Sequence, residues 1–157
     1  LSKRLDGARS TIYQYYANKD EIIAACMKQV MEDILQHTTA IDETDCMPAL
    51  QQLLTVYLRE ADFHQLLGSA HKVSPANSPA AALDLEFVEQ AHQTLRVQLE
   101  RLFIRAREEG HLNPDIPLHV SMGIFINLIN IPNVMNMPTP QWSELLFRVW
   151  LDGAGNR

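Results

Sequence analysis

Residues 1–19 of the chain read LSKRLDGARSTIYQYYANK, and this stretch decides how the rest is organised. It contains two short helical patterns separated by Asp6-Gly7. Glycine adopts the left-handed backbone that ends a helix without a Cβ penalty, so we expect one helix to end there and another to begin near Ala8. Two helices joined by such a tight turn form a helix-turn-helix, whose second helix enters the DNA major groove.

The second of these helices has an apolar side and a polar side. Ile12 and Tyr16 are four residues apart and can pack inward. An arginine can donate twice to a guanine, a threonine offers a methyl or a hydroxyl, and a phenol can donate to a phosphate oxygen. The side chains left to reach other surfaces are Arg9, Ser10, Thr11, Tyr13 and Tyr15. The open alternative is a plain helical pair in which the tyrosines belong to the core.

Two runs of residues carry a resemblance to a known family. STIYQYY at positions 10–16, followed by NKDEII at 18–23, resembles the end of the DNA-binding domain of the TetR (tetracycline-repressor) family. In that family a Thr-aliphatic-Tyr-x-(Tyr/His)-(Phe/aliphatic) run precedes a Lys-acid-x-Leu start of the next helix. The resemblance is specific over residues 1–23 and only architectural afterwards.

The resemblance implies a role for each matching position. Residues 9–11 would face bases, the two tyrosines at 13 and 15 would hold the DNA backbone, and Lys19 would meet a phosphate. With Lys3 as a further backbone candidate, the predicted DNA-binding residues are Lys3, Arg9, Ser10, Thr11, Tyr13, Tyr15 and Lys19. The chain departs from the family in reading Asp6-Gly7-Ala8 where Gly-Val-Ser is usual. It also begins without a methionine, so we expect the first helix of the family's DNA-binding domain to be absent.

Composition favours an ordinary globular protein. The 157 residues are 46% hydrophobic and 20% charged, which disfavours disorder. No apolar run approaches the roughly 18 residues of a membrane span, and no leader pattern is present. Cys26 and Cys46 lie outside any C-x-x-C spacing, which favours reduced thiols, with Cys26 buried. The expected location is the cytoplasm.

Charge is distributed unevenly along the chain. The net charge is −6. Residues 1–28 nevertheless hold five basic and three acidic side chains, a balance of +2 that leaves −8 for the remainder. Positive charge therefore coincides with the segment predicted to meet phosphates, whereas the rest would be repelled by a duplex.

The remaining pattern predicts an all-α protein. Asn18 and Glu21 fit a capping box that opens a helix reaching residues 37–40. Further helices are predicted from Pro48 to about residue 66, from Ser78-Pro79 to a stop at Gly110, over residues 120–131, and from Thr139-Pro140 onward. We expect a partial helix-turn-helix domain with a connecting helix at 1–38, and a ligand-binding and dimerisation domain at 39–157.

The last two predicted helices are unusually apolar. The helix over 120–131 is apolar on nearly all sides, and two copies of such a pair form a four-helix bundle. The TetR-like resemblance implies the same mode of dimerisation, which would place two DNA-reading helices one turn apart on a palindromic operator. The alternative is that both helices close the core of one copy. The predicted interface residues are Ile124, Leu128, Trp142, Leu145, Leu146, Val149 and Trp150.

A ligand pocket among the central helices is the other implication of the resemblance. Polar groups on otherwise apolar stripes are the informative members, because a buried polar group needs a partner. The predicted lining favours an apolar or amphipathic ligand and consists of Tyr57, Phe63, His64, His92, Phe103, Met122, Phe125, Ile126 and Asn130.

Enzyme signatures are missing from the sequence. It contains no Gly-x-Ser-x-Gly, no phosphate-binding glycine loop and no His-Glu-x-x-His. The predicted function is therefore a ligand-responsive transcriptional regulator, most often a repressor in that family, and not an enzyme, with no cofactor or metal. One alternative is a metal-dependent helical-bundle enzyme, because Glu89-x-x-His92 has the spacing of helical di-iron sites and Glu60 with His64 puts another acid and imidazole on one helical face, although a second Glu-x-x-His is missing. The other is a helical interaction module that does not bind DNA.

Overall fold

Five α-helices account for most of the described residues. The computed structural model describes the backbone of residues 2–70 and 78–156. Within these two ranges it also describes the side chains, except those of residues 2–10, 12–13, 15–17 and 63–70. The helices are α1 (Ser2–Thr39), α2 (Cys46–Ala70), α3 (Pro79–Glu108), α4 (Leu118–Asn127) and α5 (Thr139–Ala154), with a 3-10 turn at Leu128–Asn130 after α4. Within the described residues there is no strand, only an isolated bridge between Leu112 and Gly155. The predicted all-α class is confirmed.

Both ends of α3 follow from local sequence signals. At the start, Ser78 Oγ accepts from the Ala81 amide at 3.3 Å and Pro79 takes the first helical position, which is the predicted N-cap. At the end, Gly110 has φ +82°. The amide of His111 donates to the carbonyl of Ala106 at 2.9 Å, as in a Schellman motif. These caps fix where α3 stops and which way the chain leaves it.

The N-terminal segment differs from the sequence-based prediction. α1 runs unbroken through Asp6-Gly7 and Asn18, so the predicted turn and the predicted new helix start are wrong for the described backbone. A glycine inside a helix costs about 1 kcal/mol relative to alanine. Ending the helix at this point would leave about four carbonyls without a helical hydrogen bond, and starting a new helix would leave about four amides without one. Unless other groups satisfy them, this costs more free energy than keeping the glycine inside a continuous helix. Glu21, predicted to reach back to Asn18, instead accepts from Ser78 Oγ at 2.6 Å.

The residues fall into two compact units. One comprises Leu1–Asp33 with Phe63–His92, and the other comprises Ile34–Asp62 with Gln93–Arg157. In the first unit, Lys28 on α1 approaches Asp84 Oδ1 on α3 at 3.8 Å and lies 5.5 Å from the centre of the Phe87 ring. The first unit thus contains the residues predicted to bind DNA, and it also takes in the beginning of α3.

The second unit holds the larger described core. Its buried residues come from α2, α3, α4 and α5 and from two positions in the connecting segments. α2 supplies Leu50, Leu53 and Leu54, and α3 supplies Leu99 and Leu102. The residues after α3 and those after α5 are tied together, because Asn113 N donates to Ala154 O at 2.9 Å and Asn156 N to His111 O at 3.1 Å. Within the described residues, none of the helices combines the length and apolar composition needed to traverse a bilayer.

Candidate functional site

The segment predicted to contact DNA is helical throughout its described length. Thr11, Gln14 and Asn18 are exposed at spacings of three and four, so they share one solvent-facing strip of α1. Lys19 is half-buried and Asp20 is fully buried. The side of α1 opposite to this exposed strip is therefore packed against the protein. The other candidates have side chains outside the described residues: Lys3, Arg9, Ser10, Tyr13 and Tyr15.

Four aromatic rings meet in the middle of the second unit. The Phe125 ring centre lies 5.3 Å from that of Phe103, 5.2 Å from that of Trp150 and 6.4 Å from that of Phe147. These pairs are edge-to-face, an arrangement worth about 0.5–1.5 kcal/mol each beyond area burial. The indole N–H of Trp150 donates to the Ser121 carbonyl at 3.2 Å. We call these four rings the aromatic cluster; it joins α3, α4 and α5.

The predicted ligand-binding residues are distributed around this cluster. Phe103 and Phe125 belong to it, and Tyr57 and Met122 are half-buried against the same core. Burial raises the pKa of the Tyr57 phenol, so that group stays protonated. By contrast His92, Ile126 and Asn130 are exposed, and the side chains of Phe63 and His64 lie outside the described residues. Four of the nine are thus brought together, and their contact with a ligand stays a prediction.

α4, together with Ile131 after its 3-10 turn, presents an apolar row to solvent, and so does α5. Val120, Ile124 and Ile131 are 49%, 54% and 42% exposed, and on α5 Leu145 and Val149 are 39% and 64% exposed. We call these five residues the exposed apolar rows. The α4 row lines a shallow groove of about 470 Å³ with His119, Gly123, Asn127 and Leu128. Exposed apolar side chains grouped in this way are typical of surfaces that bind other molecules.

The predicted interface residues divide between this surface and the core. Ile124, Leu145 and Val149 are exposed, whereas Leu128, Leu146 and Trp150 are 4–6% exposed and pack within one copy. Trp142 is half-buried against the same core. Leu128, Leu146 and Trp150 therefore close the core of one copy, as the alternative for these helices held. Because α4 is apolar on nearly all sides, one side of the helix can pack in the core while the other side is exposed.

A cluster of three chemically different side chains lies where α2 begins and α3 ends. Cys46, the first residue of α2, is buried and its Sγ donates to Glu109 Oε2 at 3.2 Å. His111 Nε2 lies 3.5 Å from the same carboxylate oxygen. All three groups lie within 4.8 Å of one another. The cluster is open to solvent, because the side chains of Glu109 and His111 are about half exposed.

The electrostatics of this cluster centre on Glu109. Its hydrogen bond from the Cys46 thiol, with the nearby charges of Arg105 and His111, lowers the pKa of the carboxyl group. Burial, together with the carboxylate beside it, raises the pKa of the Cys46 thiol. Arg105 Nη2 approaches the other carboxylate oxygen, Oε1, at 3.5 Å. Oε2 is therefore the oxygen directed at the thiol and the imidazole.

The sequence did not indicate this cluster. Cys46 and Glu109 are 63 residues apart, so no local spacing connects them. The di-iron alternative rested on local spacing, and the structure places Glu89 and His92 on the exposed side of α3. Among the described residues, the only group of three potential metal ligands is Cys46, Glu109 and His111. The signal available beforehand was that a cysteine and a histidine each flank a predicted helix end.

Comparison with known proteins adds no identification. No protein-family model matches the chain, and no curated protein matches it.

Proposed function

We propose that the chain is a homodimeric, ligand-responsive DNA-binding regulator of TetR-like type, acting in the cytoplasm as a repressor at a palindromic operator. The observation that carries this proposal is the paired match of residues 10–16 and 18–23 to the pattern that ends the family's DNA-binding domain. The first run would contact the DNA duplex, and the second run would begin the helix that supports the first.

Several features of the N-terminal segment support DNA binding. Its backbone is helical, and α-helices fit the major groove. The strip formed by Thr11, Gln14 and Asn18 is exposed and carries only neutral polar groups, which can donate to phosphates or bases. Because α1 is continuous over Ser2–Thr39, the proposed reader is the exposed strip of this helix, and the resemblance to the family's DNA-binding domain rests on the residue pattern alone. The local charge of +2 has the sign that phosphates attract.

Dimerisation is supported by the exposed apolar rows. Two copies that pair α4 and α5 would cover Ile124 and Val149, the most exposed large apolar residues of the two helices. In a two-fold interface both copies use the same surface. The apolar row of α4 would therefore contact the row of α4 or that of α5 in the partner copy. Such symmetry matches an operator with half-sites about 34–36 Å apart.

The ligand we propose is apolar or amphipathic. Tyr57 and Met122 lie half-buried against the core that holds the aromatic cluster, so a molecule entering there would meet mainly apolar carbon and one phenol. Sites for small molecules commonly combine an apolar lining with a few polar groups that fix orientation. Binding would release or recruit DNA by changing the spacing of the two readers.

Selection of bound sequences from random duplexes tests the function directly. The full-length natural protein should be used at low ionic strength, with an acidic protein of equal size as the reference. We expect enrichment of a palindrome. Binding no stronger than that of the reference would refute the DNA-binding function.

Arg9→Ala tests direct reading of a base. We expect a loss of about 1–3 kcal/mol in binding free energy and a relaxed preference at one position of each half-site. The measurement is competition between operator variants, each carrying a single base change. Arg96→Ala, which removes the same side chain at an exposed position of α3 with no predicted DNA contact, is the control. Unchanged base preference in the Arg9 variant would remove Arg9 from direct readout.

Lys19→Ala tests a phosphate contact. We expect weaker binding to all sequences alike, and a dependence of log K on log salt that is shallower by about one unit. Titrations at four or more salt concentrations measure that slope. Lys28→Ala is the control, because Lys28 already pairs with Glu32 and Asp84. An effect of Lys19→Ala on base preference alone would assign Lys19 a different role.

A further inference from the structure

We propose that Cys46 Sγ, Glu109 Oε2 and His111 Nε2 bind one zinc ion. The proposal is independent of the DNA-binding function and concerns the cluster between the start of α2 and the end of α3. Typical zinc distances are about 2.3 Å to sulfur, 2.0–2.1 Å to nitrogen and 2.0–2.2 Å to oxygen. At tetrahedral angles they place sulfur and oxygen ligands about 3.6 Å apart, and nitrogen and oxygen ligands about 3.4 Å apart.

The observed separations between the three candidate ligand atoms are close to these ligand–ligand distances. Cys46 Sγ lies 3.2 Å from Glu109 Oε2, and His111 Nε2 lies 3.5 Å from the same oxygen. The remaining two atoms, Cys46 Sγ and His111 Nε2, lie within 4.8 Å of each other. Small side-chain rotations suffice to bring the three atoms around one centre. Because Glu109 and His111 are about half exposed, water can complete a fourth position.

The ligand set selects the ion. A thiolate favours zinc over magnesium and calcium, which take oxygen ligands, while an imidazole and a carboxylate are both common zinc ligands. One thiolate and one carboxylate balance the two positive charges of the ion. Coordination of Cys46 requires loss of its thiol proton, which passes to solvent as the metal binds.

The backbone around the cluster is already fixed. Arg101 donates to both carboxylate oxygens of Glu43 at 2.9–3.0 Å. Arg105 donates to the carbonyls of Glu43 and Thr44 at 2.5 and 2.9 Å. These bonds hold the connector that leads into Cys46. On the other side, Gly110 turns the chain with φ +82°, which places His111 beside the end of α3.

Arg105 also acts as a positioning residue for Glu109. Its guanidinium engages Oε1 at 3.5 Å, so Oε2 is left facing the thiol and the imidazole. Outer partners of this kind orient a ligating carboxylate and typically change metal affinity about 10–100-fold when removed. The positive charge of Arg105 opposes the ion at the same time, which makes the site weaker than one surrounded by carboxylates.

Metal titration of the untagged full chain tests the site. The probes are Zn²⁺ in equilibrium dialysis and Co²⁺ in absorption spectroscopy. We expect one Zn²⁺ per chain, and a Co²⁺ complex with the thiolate charge-transfer band and the intense visible bands of tetrahedral coordination. Cys46→Ser should abolish the charge-transfer band. Glu109→Gln and His111→Ala should each weaken Zn²⁺ binding by more than about 100-fold, beyond the loss expected for an outer partner.

Matched controls separate this site from general metal binding. Cys26→Ser, Glu108→Gln and His119→Ala change the same residue types at half-buried or exposed positions elsewhere and should leave the affinity unchanged. Glu109 and His111 are exposed, so their variants are expected to fold, which circular dichroism checks. Zinc below one equivalent per chain, or equal affinity in the His111 variant and its control, would overturn the proposal.

Discussion

Phe125→Ala is expected to lower the free energy of unfolding by about 3–5 kcal/mol, the usual range for removing a buried phenylalanine ring. Phe125 is fully buried and touches the three other rings of the aromatic cluster. Its removal eliminates all three ring pairs and leaves a cavity bounded by Phe103 and Trp150, which are held on other helices and can collapse only partly. Few substitutions in the described residues should cost more.

Denaturant titration followed by tryptophan fluorescence measures this effect, because Trp150 lies 5.2 Å from the Phe125 ring centre. The matched control is Ile126→Ala, the next residue, which is 40% exposed and should change stability by about 0.5 kcal/mol or less. Similar losses in the two variants would show that the cluster does not hold α4 in place.

Replacing Ile124 and Val149 together with glutamate is expected to convert the proposed dimer into folded monomers. The two side chains are 54% and 64% exposed in one copy, so the charges are hydrated in a monomer. In a symmetric dimer four carboxylates would be buried, at an effective cost of several kcal/mol per ion. Association should therefore fail while the fold of each copy remains.

Sedimentation equilibrium gives the mass, and circular dichroism reports the helix content of the same samples. The contrasting variant is Trp150→Glu, which places a charge in the core of one copy and should unfold the protein rather than only dissociate it. Glu144→Gln, at an exposed position on α5, should change neither property. A dimer that survives the double substitution would move the interface away from the exposed apolar rows.

Signals that act over a few residues predicted several of the helix limits. Ser78-Pro79 and Gly110 bound α3 as expected, and Thr139-Pro140 opens α5. Each signal depends on backbone groups within about one turn, which the local sequence largely determines. The helical content of the chain was therefore predictable without knowledge of its packing.

Features that depend on distant residues were harder to predict. A glycine permits a turn but does not require one, so Asp6-Gly7 alone could not decide whether α1 breaks. The apolar pattern of α5 predicted an apolar helix face, yet not that Trp150 faces its own core while Val149 is exposed. The Cys46, Glu109 and His111 cluster forms only because two helix ends meet. For the DNA-binding candidates, the sequence pattern remains the main support.

The hydrogen bonds that join residues 111 and 113 to residues 154–156 have a practical consequence for biophysical work. Because the backbone amide of Asn156 donates to His111 O at 3.1 Å, a bond that a side-chain label leaves in place, a spin label or fluorophore at position 156 would be sensitive to events at the far end of α3. Ion loading beside His111 could then be followed in real time from the C-terminal segment, without touching any coordinating atom.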